Sequence, residues 1–213
     1  MEAGEHIEEV KFRPFQPEDI DACTRLAWDA WAADPDEPDE GVDPRVMTGY
    51  VRSFLARSNT NEIAYDSHGI VGFLFGRIGR VRTSSLIGEF SMIPHFMFQR
   101  YGAPASPIIL AHFFLTEFKV MVNDPKSDAE INLFIVDSRH RGRGLGTMLM
   151  RRFIESAKKA GCKLLTLYTD DQLSNWKYYE KQGFTVVATF HDSLTSYFTE
   201  RSAKGIVYAM KLG

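Results

Sequence analysis

Residues 137–150 read DSRHRGRGLGTMLM. Gly142, Gly144 and Gly146 stand among Arg139, His140, Arg141 and Arg143. An apolar run precedes them at residues 131–136, and apolar residues at helical spacing follow. A strand that ends in glycines and opens a helix leaves backbone N–H groups unpaired at the positive end of the helix dipole, and that junction binds anions. Glycine lets the backbone approach a ligand closely and take positive φ. Arg139, His140, Arg141 and Arg143 add charge that phosphate can pair with. The local chemistry is that of a phosphate cradle.

Two common phosphate loops do not fit. A Walker A loop requires GxxxxGK followed by Ser or Thr, and no such pair occurs here. A dinucleotide fingerprint needs a third glycine where Thr147 stands, in a first βαβ unit with an acid about 20 residues on. This loop comes two-thirds of the way along the chain.

The elements that must hold these residues are legible from periodicity. Residues 131–136 read as a buried central strand. Residues 144–160 read as a helix with Leu145, Leu149, Phe153 and Ala157 on one stripe, Lys158 and Lys159 at its negative end and Gly161 as its stop. Residues 163–169 form the next strand, 174–182 a short helix capped by Ser174 and closed by Gly183, and 184–190 and 206–212 the last strands. Upstream, an opening strand is expected within 8–15, a helix from Pro17 to residue 33, and a second helix over 46–55 capped by Asp43. A hairpin is expected at 62–66 and 70–78. Residues 79–128 carry Phe90, Phe96, Phe98, Tyr101, Phe113, Phe114 and Phe118 and contain an apolar helix over 107–122. That segment is too aromatic to stay solvated, so it reads as a helical insertion, about 80–128, in a single 213-residue domain.

Composition narrows the class. The chain has 213 residues, 44% hydrophobic and 25% charged, with net charge −3, which gives no whole-molecule attraction to nucleic acid. Cys23 and Cys162 have neither CxxC nor zinc spacing and read as reduced fillers in an intracellular protein. The acidic first ten residues lack an apolar core, and no run of about 18 apolar residues occurs, so neither a secretory signal nor a membrane span is expected, and the expected location is cytoplasmic. The six histidines show no HxxxH spacing, so no metal is expected.

Arg139-x-x-Gly142-x-Gly144 after an apolar strand resembles the acyl-CoA loop of the GNAT superfamily of N-acyltransferases, whose pattern is Gln or Arg, x, x, Gly, x, Gly or Ala. Residues 179–184, YEKQGF, resemble the YEKxGF that the family carries downstream, and the two motifs stand in the family's order. The resemblance is strong over residues 130–187. It implies an α/β fold with a mixed, mostly antiparallel sheet flanked by helices, here with a helical insertion before the fourth strand. It implies a fourth strand that splays from the fifth, with the pantetheine arm of acetyl-CoA against the backbone of Phe134, Ile135 and Val136. The pyrophosphate would lie on the N–H groups of Arg141, Gly142, Arg143, Gly144, Leu145, Gly146 and Thr147, with Arg139 and its neighbours reaching phosphate. Asn175 would meet the pantetheine. Tyr179 matches the family's acid, which protonates the departing CoA thiolate.

The chemistry so implied is transfer of an acetyl group to a primary amine within a ternary complex. The amine is mostly protonated at neutral pH and needs a base. The oxyanion needs N–H donors, for which Ile135 or Val136 is the candidate. Some family members use a glutamate on the fifth strand, but here no acid occurs before Asp170. Glu130, on the same face as Asn132 and Phe134 by a period of two, is one base candidate, acting through water; a solvated strand-start acid is the other account of it. His191 is a weaker candidate. The acidic run Asp34, Asp36, Glu37, Asp39 and Glu40 could draw a cationic acceptor or be a solvated loop. Phe96, Phe98 and Tyr101 could wall the acceptor cleft, make a dimer contact or pack in the core. Expected partners are a small-molecule or peptide amine, with no nucleic acid or membrane, and the chain is expected as monomer or homodimer. The rival readings are an acyl-CoA-binding sensor of the same fold without turnover and a nucleotide phosphate site of another kind.

Overall fold

The computed structural model describes residues 9–31, 44–79 and 107–213. The acidic run at 34–40, the proposed cap Asp43 and the aromatic residues Phe90, Phe96, Phe98 and Tyr101 lie outside them. The described elements are β1 Lys11–Pro14, α1 Ile20–Trp31, α2 Pro44–Arg57, β2 Thr60–Asp66, β3 Gly69–Ile78, α3 Pro107–Asn123 and β4 Ala129–Val136, then α4 Leu145–Lys159, β5 Leu164–Asp170, α5 Lys177–Lys181, β6 Thr185–Asp192, α6 Ser193–Thr199 and β7 Ala203–Lys211. Short 3₁₀ turns occupy Pro17–Asp19 and Ser138–His140.

The strands form one seven-stranded sheet in the order β1-β2-β3-β4-β5-β7-β6. Neighbours are antiparallel except β4 and β5. Two apolar layers cover the sheet. On one face α4 sets Leu145, Leu149, Met150, Phe153 and Ala157 against Leu74, Ile131, Leu165, Leu167 and Tyr208. On the other, Cys23, Leu26 and Ala27 of α1 and Val51 and Phe54 of α2 pack on Ile63, Phe73, Phe75, Leu133 and Ile135. The α4 stripe read from the sequence is the buried one. Helix α3 lies beside α2 through Tyr50 and Phe113, with ring centroids 6.3 Å apart, and through an Arg57–Glu117 ion pair.

Several boundaries differ from expectation for local reasons. Ser174 does not cap a helix: its hydroxyl donates to the Asp170 carbonyl at 2.6 Å and accepts from Thr169 at 2.5 Å, so the chain turns before α5. Helix α6 was not expected. Asp192, fully buried, starts it by accepting from the N–H groups of Leu194 and Thr195 at 3.0 and 3.1 Å. The same carboxylate accepts from the Thr116 hydroxyl of α3 at 2.9 Å and from Tyr168 of β5, which ties α3 and α6 to the sheet. At the other end of the sheet, Asp19 takes two bonds from the Arg13 guanidinium, at 2.6 and 2.7 Å, and one from the Gln16 N–H.

Candidate active site

Strands β4 and β5 pair only through Ala129–Leu165, Glu130–Thr166 and Ile131–Leu167. Beyond Ile131 they part, and β4 keeps only its β3 partner. The Asp137 N–H donates to the Val71 carbonyl at 2.9 Å, which makes Asp137–Val71 a hydrogen-bonded pair. Opposed residues of an antiparallel ladder alternate, and the register runs Gly72–Val136, Phe73–Ile135, Leu74–Phe134. The backbone groups of Ile135 therefore face β3, and those of Phe134 and Val136 face the gap. A ligand lying there would find donors and acceptors spaced as in a missing strand.

A bulge sets the direction of the side chains. The β3–β4 register passes from Phe75–Leu133 to Gly76–Ile131 and leaves Asn132 without an opposite residue. A bulge of one residue reverses the alternation. Ala129 and Ile131 face α4, whereas Leu133 and Ile135 face α1 and α2. The Asn132 amide donates to the Ser58 hydroxyl at 2.8 Å.

The loop after β4 is anchored at several points. Asp137, nearly buried, accepts from the Arg139 N–H at 2.8 Å and from the Arg139 guanidinium at 2.7 Å. The His140 ring meets Asp66 at 3.2 Å, which fastens the loop to the β2–β3 hairpin, and Arg141 Nε donates to the Val136 carbonyl at 3.3 Å. Gly142 and Gly144 take φ of +75° and +83°, and a Cβ on either would meet nothing within 4 Å. Glycine is needed there for conformation, and the space beside it is open. The Met148 N–H bonds the Gly144 carbonyl, so the N–H groups of Leu145, Gly146 and Thr147 form the first turn of α4, which has no intrahelical acceptor. Gly146 is different: a Cβ there would sit 3.3 Å from the Phe134 ring and 3.4 Å from the Tyr178 hydroxyl. Its bareness lets α4 approach the open half of β4. Downstream, the Tyr179 ring packs at 5.5–6.2 Å between centroids on Tyr178, Tyr208 and Phe184, and the Asp170 carboxyl acts electrostatically on its hydroxyl.

Residues 108–184 match the family model described as Acetyltransferase (GNAT) family. Over that stretch the chain is similar to the GNAT superfamily. A rice protein (Oryza sativa subsp. japonica) named Probable glucosamine 6-phosphate N-acetyltransferase 2 is 37% identical over 83 residues, 39% of this chain and 48% of that one. The match thus spans about half of that relative's length. Solved structures share the fold. SsHAT superposes with a TM-score of 0.71 at 17% identity, covering 96% of this chain and 99% of its own. YncA of Salmonella typhimurium, solved with its cofactor acetyl-CoA, gives 0.56 at 15% identity, covering 96% and 94%. The ribosomal-protein-S18-alanine N-acetyltransferase of Escherichia coli gives 0.54 at 13%, covering 96% and 95%.

Within this GNAT fold, the gap, the first turn of α4 and α5 bring most of the expected ligand-binding residues together. Phe134 and Tyr178 stand 6.1 Å apart across the gap mouth. Val136, Gly142, Gly144, Leu145, Gly146 and Thr147 follow one another along one side. Asn175 is exposed at the head of α5, and its carbonyl accepts from the Tyr178 N–H. Four expectations change. Ile135 turns its N–H to Phe73 and its side chain into the core, so of the two expected oxyanion donors only Val136 faces the gap. Arg139 spends part of its guanidinium on Asp137, and that hydrogen bond holds the Asp137 carboxyl below the usual range; the arginine side chain is still 82% exposed. Glu130 does not share a face with Phe134, because the Asn132 bulge lies between them. His191 lies within β6, an edge strand that β7 separates from β5, about 10 Å or more from the gap at two strand spacings.

Glu130 sits at the foot of the split. Burial raises its pKa, against the lowering influence first of Arg77, whose guanidinium stands 3.3 Å away, and then of Arg57. The carboxyl keeps 30% exposure, enough for a water to reach it. Two groups were not weighed from sequence. Asp170 ends β5 with a half-buried carboxyl whose pKa is raised by burial, although its Oδ1 accepts from the N–H groups of Gln172 and Leu173. Its place just before the α5 motif is the signal that could have flagged it. The Tyr178 hydroxyl is buried beside Thr147 with no hydrogen bond of normal length among the described residues. Nothing in the doubled tyrosine announces which ring turns to α4. Among the described residues no group of His, Cys, Asp and Glu could hold a metal ion, and no helix is long and apolar enough to cross a membrane.

Proposed function

We propose that the protein is an N-acetyltransferase that moves the acetyl group of acetyl-CoA to a primary amine by direct attack in a ternary complex. The observation that carries this reading is the parting of β4 from β5 opposite the open first turn of α4. The gap offers the N–H groups of Phe134 and Val136 to an extended amide-bearing chain such as pantetheine. The glycine loop and the helix N-terminus suit the pyrophosphate. The space above Gly142 and Gly144 fits a backbone-held phosphate.

In the reaction the protonated amine gives up a proton, along a chain of waters, to Glu130, and its nitrogen attacks the thioester carbon. The oxyanion is met by a gap-facing N–H of β4, Phe134 or Val136. The C–S bond then breaks, and the thiolate takes a proton from the Tyr179 hydroxyl, whose pKa is raised, chiefly by burial. The second proton of the acetylated nitrogen returns to the Tyr179 phenolate, and the proton held by Glu130 leaves through the same waters. We take the chain as one catalytic domain and acetyl-CoA as its co-substrate. The name of the rice relative makes a phosphorylated amino sugar the first acceptor to assay, followed by polyamines, amino acids and peptide N-termini.

The test is to mix protein and acetyl-CoA with each amine, follow free CoA thiol, and confirm the acetylated product by mass. Acetyl-CoA at about 100 times its Kd should add about 2.7 kcal/mol of stability. Absence of any thermal shift with acetyl-CoA would overturn the site. A shift without CoA release on any amine would leave a binding module and sink the catalytic reading.

A further inference from the structure

Helix α3 presents its polarity inward. Its charged residues Glu117 and Lys119 face the body of the protein, the first paired with Arg57 and the second donating to the His191 carbonyl at 2.8 Å. His112 and Thr116 also point inward, to Ser193 and Asp192. The opposite face is apolar and in solvent. Leu115 is 51% exposed, Phe118 56%, Met121 52% and Val122 57%, and Ala111 is exposed with them. An apolar stripe on a helix is normally turned onto a neighbour. Among the described residues nothing covers this face.

The spacing says what kind of surface would. Ala111, Leu115, Phe118 and Val122 are separated by 4, 3 and 4 residues, the a/d alternation of a two-helix seam. In an antiparallel pair, a positions meet d positions. Leu115 would then face Phe118 of the partner subunit, and Ala111 would face Val122 of the partner subunit. Both pairings follow from one twofold axis between Thr116 and Glu117, so the stripe is complementary to itself. The four large side chains offer roughly 400 Å² per chain at about 200 Å² per residue. Tyr197, 42% exposed and stacked on His112 at 4.9 Å, extends the patch at its edge. Two copies would bury about 1,000 Å², the lower end for a specific interface.

We infer that the outer face of α3 is a homodimer interface in which two copies of the helix pack antiparallel about a twofold axis. The helix packs on α6, β6 and β7, and its apolar face points away from them into solvent, so the inference stands apart from the catalytic reading.

Sedimentation equilibrium of the full chain at micromolar concentration tests it. The expected particle has twice the 24.2 kDa chain mass. Phe118→Glu places two like charges near the axis and should weaken the dimer about 30-fold or more, with an unchanged thermal midpoint for the monomer. Leu115→Glu should do the same. Val187→Glu, on the exposed edge strand β6, should leave the dimer intact. A monomeric parent would overturn the inference. So would a dimer that survives both α3 variants, or one that Val187→Glu dissociates, since the contact would then run through β6.

Discussion

Gly144 allows conformation and charge to be separated. It is the N-cap of α4 at φ +83°, and a side chain there would meet nothing within 4 Å. Replacing it therefore costs conformational strain of about 1–2 kcal/mol, not a clash. Asparagine tolerates this region best among residues with a Cβ and is itself a favoured N-cap, so Gly144→Asn should fold and bind acetyl-CoA nearly as the parent does. Gly144→Glu carries the same strain but puts a carboxylate into the cradle. At about 4 Å in water each like-charge pair costs about 1 kcal/mol, so a pyrophosphate with two nearby charges loses about 2 kcal/mol, or roughly 30-fold in Kd. Calorimetric titration of acetyl-CoA into the three proteins measures the effect, with thermal melts to show that both variants are folded. The difference should shrink in high salt, where the screening length falls to about 3 Å. Binding of Gly144→Glu within about threefold of Gly144→Asn would place the phosphates elsewhere, because no geometry beside the helix mouth escapes that repulsion.

Tyr179→Phe keeps the aromatic packing, so stability should move by no more than about 1 kcal/mol while kcat falls at least about tenfold and the KM for acetyl-CoA holds; a kcat close to the parent's would reduce Tyr179 to a packing residue. Glu130 acts as a base only when ionised, so kcat/KM should rise with pH through a value above the ordinary carboxylate pKa, and Glu130→Gln should remove that limb and about 10²-fold or more of the rate. The same raised pKa favours the neutral acid in the fold, a contribution present at low pH and lost as pH rises through the folded value; Glu130→Gln should thus not destabilise the protein at neutral pH, as a melt will show. Gly76→Ala drives a Cβ to 2.4 Å from the Phe153 ring and 2.8 Å from the Glu130 carbonyl, so denaturant titration should show a loss of about 3 kcal/mol. The Arg13 hydrogen bonds hold the Asp19 carboxyl below its usual range, so their contribution is present above the unfolded carboxyl pKa of about 4 and lost as pH falls through the folded value; Arg13→Ala should move acid unfolding to higher pH.

The amino-acid sequence by itself determined the parts of this protein whose signal is local. The apolar run before Asp137, the glycines after it and the stripe from Leu145 to Ala157 specify strand, loop and amphipathic helix within about 30 consecutive residues, because their chemistry depends on near neighbours in the chain. The spacing of YEKQGF behind them carried the family resemblance for the same reason. The tertiary structure alone decided which way side chains point and which charges are already engaged. Asn132 has no partner only because β3 supplies one residue fewer, so the reversal that parts Glu130 from Phe134 belongs to two strands and not to one. Arg139 and His140 read as free phosphate ligands until the fold brings Asp137 and Asp66 to them, the latter from 74 residues away. Helix α6 waited on Asp192 finding Thr116 of α3 and Tyr168 of β5. The outward apolar face of α3 was hidden in a helix that reads as mostly apolar, its few polar residues giving no sign of which side they face. Each of these is a pairwise matter between residues distant in sequence, and the free energy that settles them appears only when the chain has closed.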